Sequence, residues 1–227
     1  MGGVVPFTAT DYPGQIAAVV FVQGCPWRCG YCHNPHLQPR TRTSPLEWQS
    51  VLDLLKRRSG LLDAVVFSGG EPTTDPALAH AMRDVRALGF KVGLHTGGTH
   101  PHRLREVLPL VDWVGIDVKA DFDNYASVTR VAGSGDRALA SLEAVLASGV
   151  QYECRTTSHP DLLPENEILR LAQRLSAMNV KHYALQIFRT DGCDDDGLKA
   201  ASMAGYPRDD LVTQIGALFP AFTLRRG

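Results

Sequence analysis

The sequence predicts an α/β chain in which six strand-then-helix steps build a parallel sheet. Two patterns and one quantity carry that expectation. Short β-branched runs alternate with longer amphipathic ones, and Gly, Pro or Asp punctuates the joints. The 227 residues, 44% hydrophobic and 21% charged, suffice for a core of this kind and exclude disordered, collagenous and coiled-coil chains. Strand–helix–strand crossovers within one sheet are right-handed. Six steps fall short of a closed eight-stranded barrel, which leaves an open doubly wound sheet or a partial barrel. In both, chemistry belongs on the loops leaving the C-terminal ends of the strands.

Strands are expected over 17–23 (AAVVFVQ), 63–68 (DAVVFS), 90–95 (FKVGLH), 112–118 (DWVGIDV), 151–157 (QYECRTT) and 181–188 (KHYALQIF). Between the first two lies a helix over 45–58, where Leu46, Val51, Leu54 and Leu55 keep a 3.6-type spacing. Ser44, Pro45 and Glu47 read as its cap, first-turn proline and capping-box acid. Asp75 and Pro76 repeat the cap-plus-proline start for a helix over 76–88. Further helices are expected over 101–108, 136–147 and 164–178. No linker or internal repeat divides the chain, so 1–227 reads as one domain. Its core is about 15–190, and 191–227, Asp-rich and then weakly helical, is a C-terminal appendage.

Lys+Arg 23 against Asp+Glu 24 leaves a net charge of −1, so no overall basic field points to nucleic acid or an anionic membrane. No apolar run is long enough to span a bilayer, and the opening MGGVVPFTATDYPG lacks the basic-then-apolar order of a secretory signal. A cytoplasmic chain is therefore expected. Five cysteines, an odd number in a chain this large, argue against a disulfide framework. Cys154 and Cys193 stand alone and read as small buried residues.

The other three cysteines, Cys25, Cys29 and Cys32, are spaced C-x-x-x-C-x-x-C just after the first strand. Three thiolates so close can hold three corners of a [4Fe–4S] cube, which normally takes four cysteines, and leave one iron open. An open position is what lets a substrate coordinate. Zinc with His33 as fourth ligand competes, although the spacing is not a usual finger spacing. Cys29-Gly30-Tyr31-Cys32-His33 also spells a c-type haem attachment signal, which needs an export route and leaves Cys25 unexplained. The second strand ends in Ser68-Gly69-Gly70-Glu71-Pro72, where two glycines would let a ligand approach the backbone and Glu71 would accept from a cationic group. Alone, Gly-Gly before a helix is often only a tight turn.

The cysteine loop with an aromatic (Tyr31) before its last cysteine, followed by G-G-E-P, is similar to the radical S-adenosylmethionine (radical SAM) superfamily. Between about residues 6 and 189, PFTATDYPG, FVQGCPWRCGYCHNP, SGGEPTTDPAL, IDVKA, ECRTT and HYALQIFR resemble activating enzymes of glycyl radical enzymes. The likeness is closest to the activating component of anaerobic ribonucleoside-triphosphate reductase. The resemblance implies a partial (β/α)6 barrel, a [4Fe–4S] cluster on Cys25, Cys29 and Cys32, and S-adenosylmethionine chelating the fourth iron. It also implies that Gly69, Gly70 and Glu71 receive the cofactor's amino group, and that Asp117 and Lys119, the family's D-x-K, contact cofactor or substrate. Arg155, on the same side of its strand as Thr157, would pair with the cofactor carboxylate as a planar fork. Tyr31 and Trp27 would pack against cluster or adenine, although loop aromatics are as often local packing. His33 and His36 flank the cluster loop as tuning residues. The remaining histidines, His80, His100, His102 and His182, read as surface or satisfied residues.

By the same resemblance, a flavodoxin- or ferredoxin-type donor reduces the cluster, and the cleaved cofactor takes hydrogen from a glycine of a partner enzyme. Anaerobic ribonucleotide reductase is the first partner and a pyruvate formate-lyase-like enzyme the second. A radical enzyme acting on a small molecule and a zinc-stabilised binding module are the competing readings. One departure stands out: His95-Thr96-Gly97-Gly98 occupies the place where such activating enzymes show D-T-N-G. Thr96 carries over as a cofactor contact. His95, next to Asp117 and the cofactor carboxylate, is expected to be protonated and to replace a monovalent cation with a fixed charge. The bland alternative has it capping the strand and pointing to solvent.

Overall fold

The computed structural model describes residues 1–41 and 43–226; Arg42 and Gly227, the last residue of the expected appendage, lie outside the described residues. Eight strands form one sheet in chain order: β1 (Gly3–Thr8), β2 (Ala17–Val22), β3 (Ala64–Gly69), β4 (Lys91–Thr96), β5 (Trp113–Asp117), β6 (Gln151–Ser158), β7 (His182–Ile187) and β8 (Ala221–Arg225). The pairings from β2 to β8 are parallel, and β1 runs antiparallel to β2 at the edge. β1 and β8 do not pair with each other, so the sheet stays open, as a partial barrel does. The helices between strands are α1 (Trp48–Lys56), α2 (Leu78–Ala87), α3 (Pro101–Val107), α4 (Tyr125–Thr129), α5 (Ser134–Ser148) and α6 (Glu165–Ala177); α7 (Asp196–Ala200) and α8 (Asp209–Gly216) follow β7.

The core lies mostly on the helix-covered face. Val20, Val65, Phe67, Leu94, Val114 and Ile116 point outward from the strands against Leu55, Met82, Leu104 and Leu142 of the helices. β2 and β3 are near-continuous apolar runs because both their faces are covered. On the inner face, Ala17, Val19, Ala64 and Val66 make a second, smaller cluster with Tyr12 and Trp113, whose rings lie 5.3 Å apart. This aromatic pair fills the barrel floor below the cavity described next.

All six expected strands are present, shifted by no more than two residues at an end. β1 escapes the sequence pattern because it contains Pro6, which removes a ladder donor and is tolerated only at an edge; its register breaks between Val5 and Thr8. β8, AFTLR, follows the weakly helical stretch and extends the sheet by one strand. The cap expected of Ser44, Pro45 and Glu47 is corrected: α1 begins only at Trp48, and Glu47 makes no capping bond. The Ser44 hydroxyl instead donates to the Leu46 carbonyl (2.7 Å) and bonds the N-terminal amine, pinning Met1 to this loop. The start expected at Asp75 and Pro76 is also late: α2 begins at Leu78 with Ala77 at its N-cap position, and Asp75 accepts from the Ala77 N–H (2.8 Å) in the turn before it.

α5 meets the turn over Phe122–Asn124 so closely that a Cβ on Gly135 would lie 1.8 Å from the Phe122 carbonyl oxygen. Gly135→Ala is therefore expected to cost about 3 kcal/mol in denaturant unfolding. Gly3→Ala, where nothing lies within 4 Å, should be nearly neutral. Equal midpoints for the two variants would contradict this packing.

Candidate active site

The loop after β2 carries Cys25, Cys29 and Cys32, and backbone bonds hold it at both ends. Gly24 N–H donates to Leu37 O (2.8 Å), Cys25 N–H to Gln38 O (3.0 Å) and Arg28 N–H to Thr129 O (2.9 Å). A turn from Cys29 O to Cys32 N–H (3.2 Å) brings those two cysteines round. All three thiols are unpaired, half-buried and on the wall of a cavity of about 730 Å³ at the C-terminal ends of the strands. Burial, then the nearby Glu71 charge, pushes the Cys25 thiol up to about 12. Burial likewise raises Cys29, against the pull of Lys119. Thiols held protonated in this way release their protons when a metal binds.

These residues fit an iron–sulfur cube better than a single zinc ion. Among the described residues, no three His, Cys, Asp or Glu side chains gather around one ion position, whereas a cube takes each thiolate on a separate iron. His33, the candidate fourth zinc ligand, meets the Arg189 carbonyl with its Nε2 (3.0 Å) and stacks on Phe188 at 5.8 Å. Trp27 and Tyr31 are buried on the cavity wall, and Trp27 Nε1 and the Tyr31 hydroxyl have no hydrogen-bond partner among the described residues.

The loop after β3 shows how the residues expected to contact the cofactor are held. Gly69 adopts φ +114°, and a Cβ there would lie 2.5 Å from Val22 backbone atoms; one on Gly70 would meet Gly24 O at 2.6 Å. What these glycines admit is therefore the chain's own cysteine loop. The Glu71 carboxylate is also spent. One oxygen accepts from Thr73 N–H (3.1 Å), Thr73 Oγ1 (2.7 Å) and Thr96 Oγ1 (2.7 Å), the other from Gly97 N–H (2.9 Å). The Thr96 hydroxyl, donating to Glu71 and accepting from Gly98 N–H (2.9 Å), is likewise internal. Gly69, Gly70, Glu71 and Thr96 all border the cavity.

Asp117, Lys119 and Arg155 converge on the opposite wall. Arg155 Nε donates to Asp117 Oδ1 at 2.9 Å, and Lys119 Nζ lies 3.6 Å from Asp117 Oδ2 and 5.5 Å from the Tyr31 ring centre. The guanidinium lies over Gly115, where a Cβ would be 2.7 Å from its Cζ. So Arg155 spends its Nε on Asp117, and its Nη2 lies 3.4 Å from the Gly115 carbonyl oxygen. Burial alone would raise the Asp117 carboxyl, but Arg155 and then Lys119 outweigh it and hold it below the usual range. Two cations on one carboxylate leave this wall one positive charge in excess, which suits an anionic ligand.

His95 overturns both expectations for it. Its Nε2 donates to the Asp11 carbonyl (2.8 Å), and Nδ1 faces Ser68 Oγ (3.4 Å), so it points into the barrel rather than to solvent. Burial, then Arg155, lowers it to about 4, leaving it neutral at pH 7. The fixed cation beside Asp117 is Arg155. Sequence reasoning also missed Asp11 and the Glu153–Arg225 pair (2.7 and 2.8 Å), which line the cavity. Only the alternation of β6, placing Glu153 on the same side as Arg155, hinted at the second.

Comparison with known proteins agrees with this geometry. The Radical SAM superfamily matches residues 19–175. "Putative glycyl-radical enzyme activating enzyme MJ1227" of Methanocaldococcus jannaschii is 31% identical over 96% of this chain and 90% of its own. The pyruvate formate-lyase-activating enzyme of Clostridium pasteurianum is 32% identical over 80% of this chain and 79% of its own. Among solved structures, Streptococcus suis SuiB bound to S-adenosylmethionine superposes with a TM-score of 0.70 at 16% identity. That match covers 92% of this chain, which spans only 50% of SuiB.

A histidine kept neutral when folded makes stability acid-sensitive. The unfolded chain takes the proton near pH 6.5 and the folded chain only near 4, so stability is full above that window and falls as pH drops through it. Asp117 acts in the same direction but below about pH 4. Between pH 7 and 5, wild type is expected to lose ~1–2 kcal/mol more than His95→Gln. Parallel denaturation curves for the two proteins would show that His95 titrates normally.

Proposed function

This chain belongs to the radical SAM superfamily, and on that premise we propose that it installs a glycyl radical on a partner enzyme, anaerobic ribonucleoside-triphosphate reductase first among the candidates. As a radical SAM enzyme it uses a [4Fe–4S] cluster and S-adenosylmethionine. The observation that carries the proposal is the placement of three unpaired cysteines and a net-cationic wall on one cavity. Full-length similarity to the Methanocaldococcus protein supports the activating role. The choice of reductase rests on the longer strings noted in the sequence. The Clostridium activating enzyme supports the second reading, a pyruvate formate-lyase-like partner.

In this reading Cys25, Cys29 and Cys32 hold three irons and leave the fourth to the cofactor. Bound together, cluster and S-adenosylmethionine would supply the electron and the scissile sulfur–carbon bond for hydrogen abstraction from a glycine of the partner. Lys119 and Arg155, spaced by Asp117, orient the cofactor carboxylate through their excess charge. Glu71 fixes the loops after β3 and β4, so Gly69, Gly70 and Thr96 present the cavity wall from a rigid frame. Trp27 and Tyr31 exclude water from that wall, and their unpartnered polar atoms are free to meet the ligand. A flavodoxin- or ferredoxin-type protein supplies the electron. The reading takes 1–227 as one radical SAM domain in the cytoplasm; free thiols fit a reducing compartment. Among the described residues, no helix is long and apolar enough to cross a membrane.

Replacing Cys25, Cys29 or Cys32 with Ala should abolish reductive cleavage of S-adenosylmethionine and cluster iron together, whereas Cys154→Ala should retain both. Anaerobic incubation with reductant and each candidate partner should give a glycyl radical signal matched by 5′-deoxyadenosine. A radical on pyruvate formate-lyase alone would select the second reading. Cofactor cleavage with no radical on either partner would reject the activating role.

A further inference from the structure

From Arg189, at the cavity rim, one segment runs outward and is tied to the cysteine loop at several points. Residues 189–198 leave β7 and cross over residues 30–33, which follow Cys29 and include Tyr31 and Cys32. At the start, the Arg189 carbonyl meets His33 Nε2. Gly192 then passes so close that a Cβ on it would lie 2.5 Å from the His33 carbonyl oxygen, and it does so at φ +80°, in the left-handed region. Buried Cys193 donates its S–H to the Gly30 carbonyl, with Sγ 3.6 Å away. Asp195 reaches Arg130 (3.6 Å), whose guanidinium covers the bare face of Gly30, as does Leu198. The far end is anchored: Leu198 N–H donates to Asp195 Oδ1 (3.1 Å), and its carbonyl meets Nε2 of the fully buried His159 at 3.0 Å.

The cysteine loop carries few backbone bonds of its own, and the Arg28 guanidinium braces only its first half, through the Cys25 and Trp27 carbonyl oxygens (2.6 and 2.8 Å). Within 25–32, the one backbone-to-backbone bond among the described residues is the turn from Cys29 to Cys32. Ordering such a loop costs conformational entropy, and ligands left free to move hold metal poorly. Arg189 and His33 border the cavity, whereas Gly192, Cys193 and Asp195 meet the loop outside its lining. They restrain it without occupying the site.

We propose that residues 189–198 form a clamp that keeps the cysteine loop in its ligating shape, with Gly192 and Cys193 as its positioning residues. This rests on reading Cys25, Cys29 and Cys32 as cluster ligands. It gives Cys193 a role that is neither ligation nor incidental burial: its thiol holds the carbonyl between two ligands.

The test is iron retention rather than turnover. Wild type, Cys193→Ala, Cys193→Ser, Gly192→Ala and Asp195→Asn are reconstituted anaerobically. Iron release to excess chelator is followed, and the thermal midpoint of each apo-protein is measured. Cys193→Ala and Gly192→Ala should release iron about tenfold faster, as when groups that orient metal ligands are removed. Cys193→Ser, whose hydroxyl still donates to Gly30 O, should recover part of the loss. Asp195→Asn, at a half-buried position, should release iron faster with an unchanged apo midpoint; it decides the matter if the buried-site variants fail to fold. Wild-type release rates in Asp195→Asn and in every folded clamp variant would overturn the clamp alone. A wild type that takes up no iron would overturn the reading of the cysteines and the clamp with it.

Discussion

The site depends on one buried carboxylate. Glu71 is 1% exposed, and its two oxygens accept four hydrogen bonds, from Thr73 twice, Thr96 and Gly97. An ionised group so deeply placed is tolerable only when saturated with donors. Those donors come from the loops after β3 and β4, while the Glu71 N–H donates to Gly24 O (2.9 Å) at the root of the cysteine loop. Three consecutive strand ends are thus joined through one residue. Removing the carboxylate would release donors on two loops and loosen the third.

The remaining electrostatics follow from a division of labour around the cavity. The Glu71 carboxylate meets only uncharged donors, so its negative charge persists near Cys25. The Asp117 side is over-compensated by Arg155 and Lys119. His95, which might have carried charge between them, is kept neutral by burial and by Arg155. An anionic group entering the cavity therefore has one attractive wall. Orientation is decided by this asymmetry and not by net charge, which for the whole chain is −1.

The fold was legible because its strands, buried on both faces, leave apolar runs that only a covered parallel sheet explains, as AAVVFV and AVVFSG show. The cysteine loop was legible because metal chemistry constrains residue type and spacing together. Glu71 was legible by type and position as an acceptor on the cavity, but nothing in sequence reveals that Thr73, Thr96 and Gly97 donate to it. Arg155 and Asp117 were seen separately, but their pairing needs the register of β5 on β6, where they are direct neighbours. His95 was misread because a reference pKa carries no information about burial. The contacts of 189–198 were invisible, being carried by backbone carbonyls of Gly30, His33 and Arg189.

An open sheet has a cost that a closed barrel avoids: two edges with unpaired backbone groups, each a template for another chain's strand. Both edges here are blunted. Pro6 has no N–H to offer, and the register break after Val5 twists β1 out of a flat ladder. β8 is only five residues long, so it offers an approaching strand little ladder to pair with. The gap left for function thus opens between two edges that each make a poor template for another chain's strand.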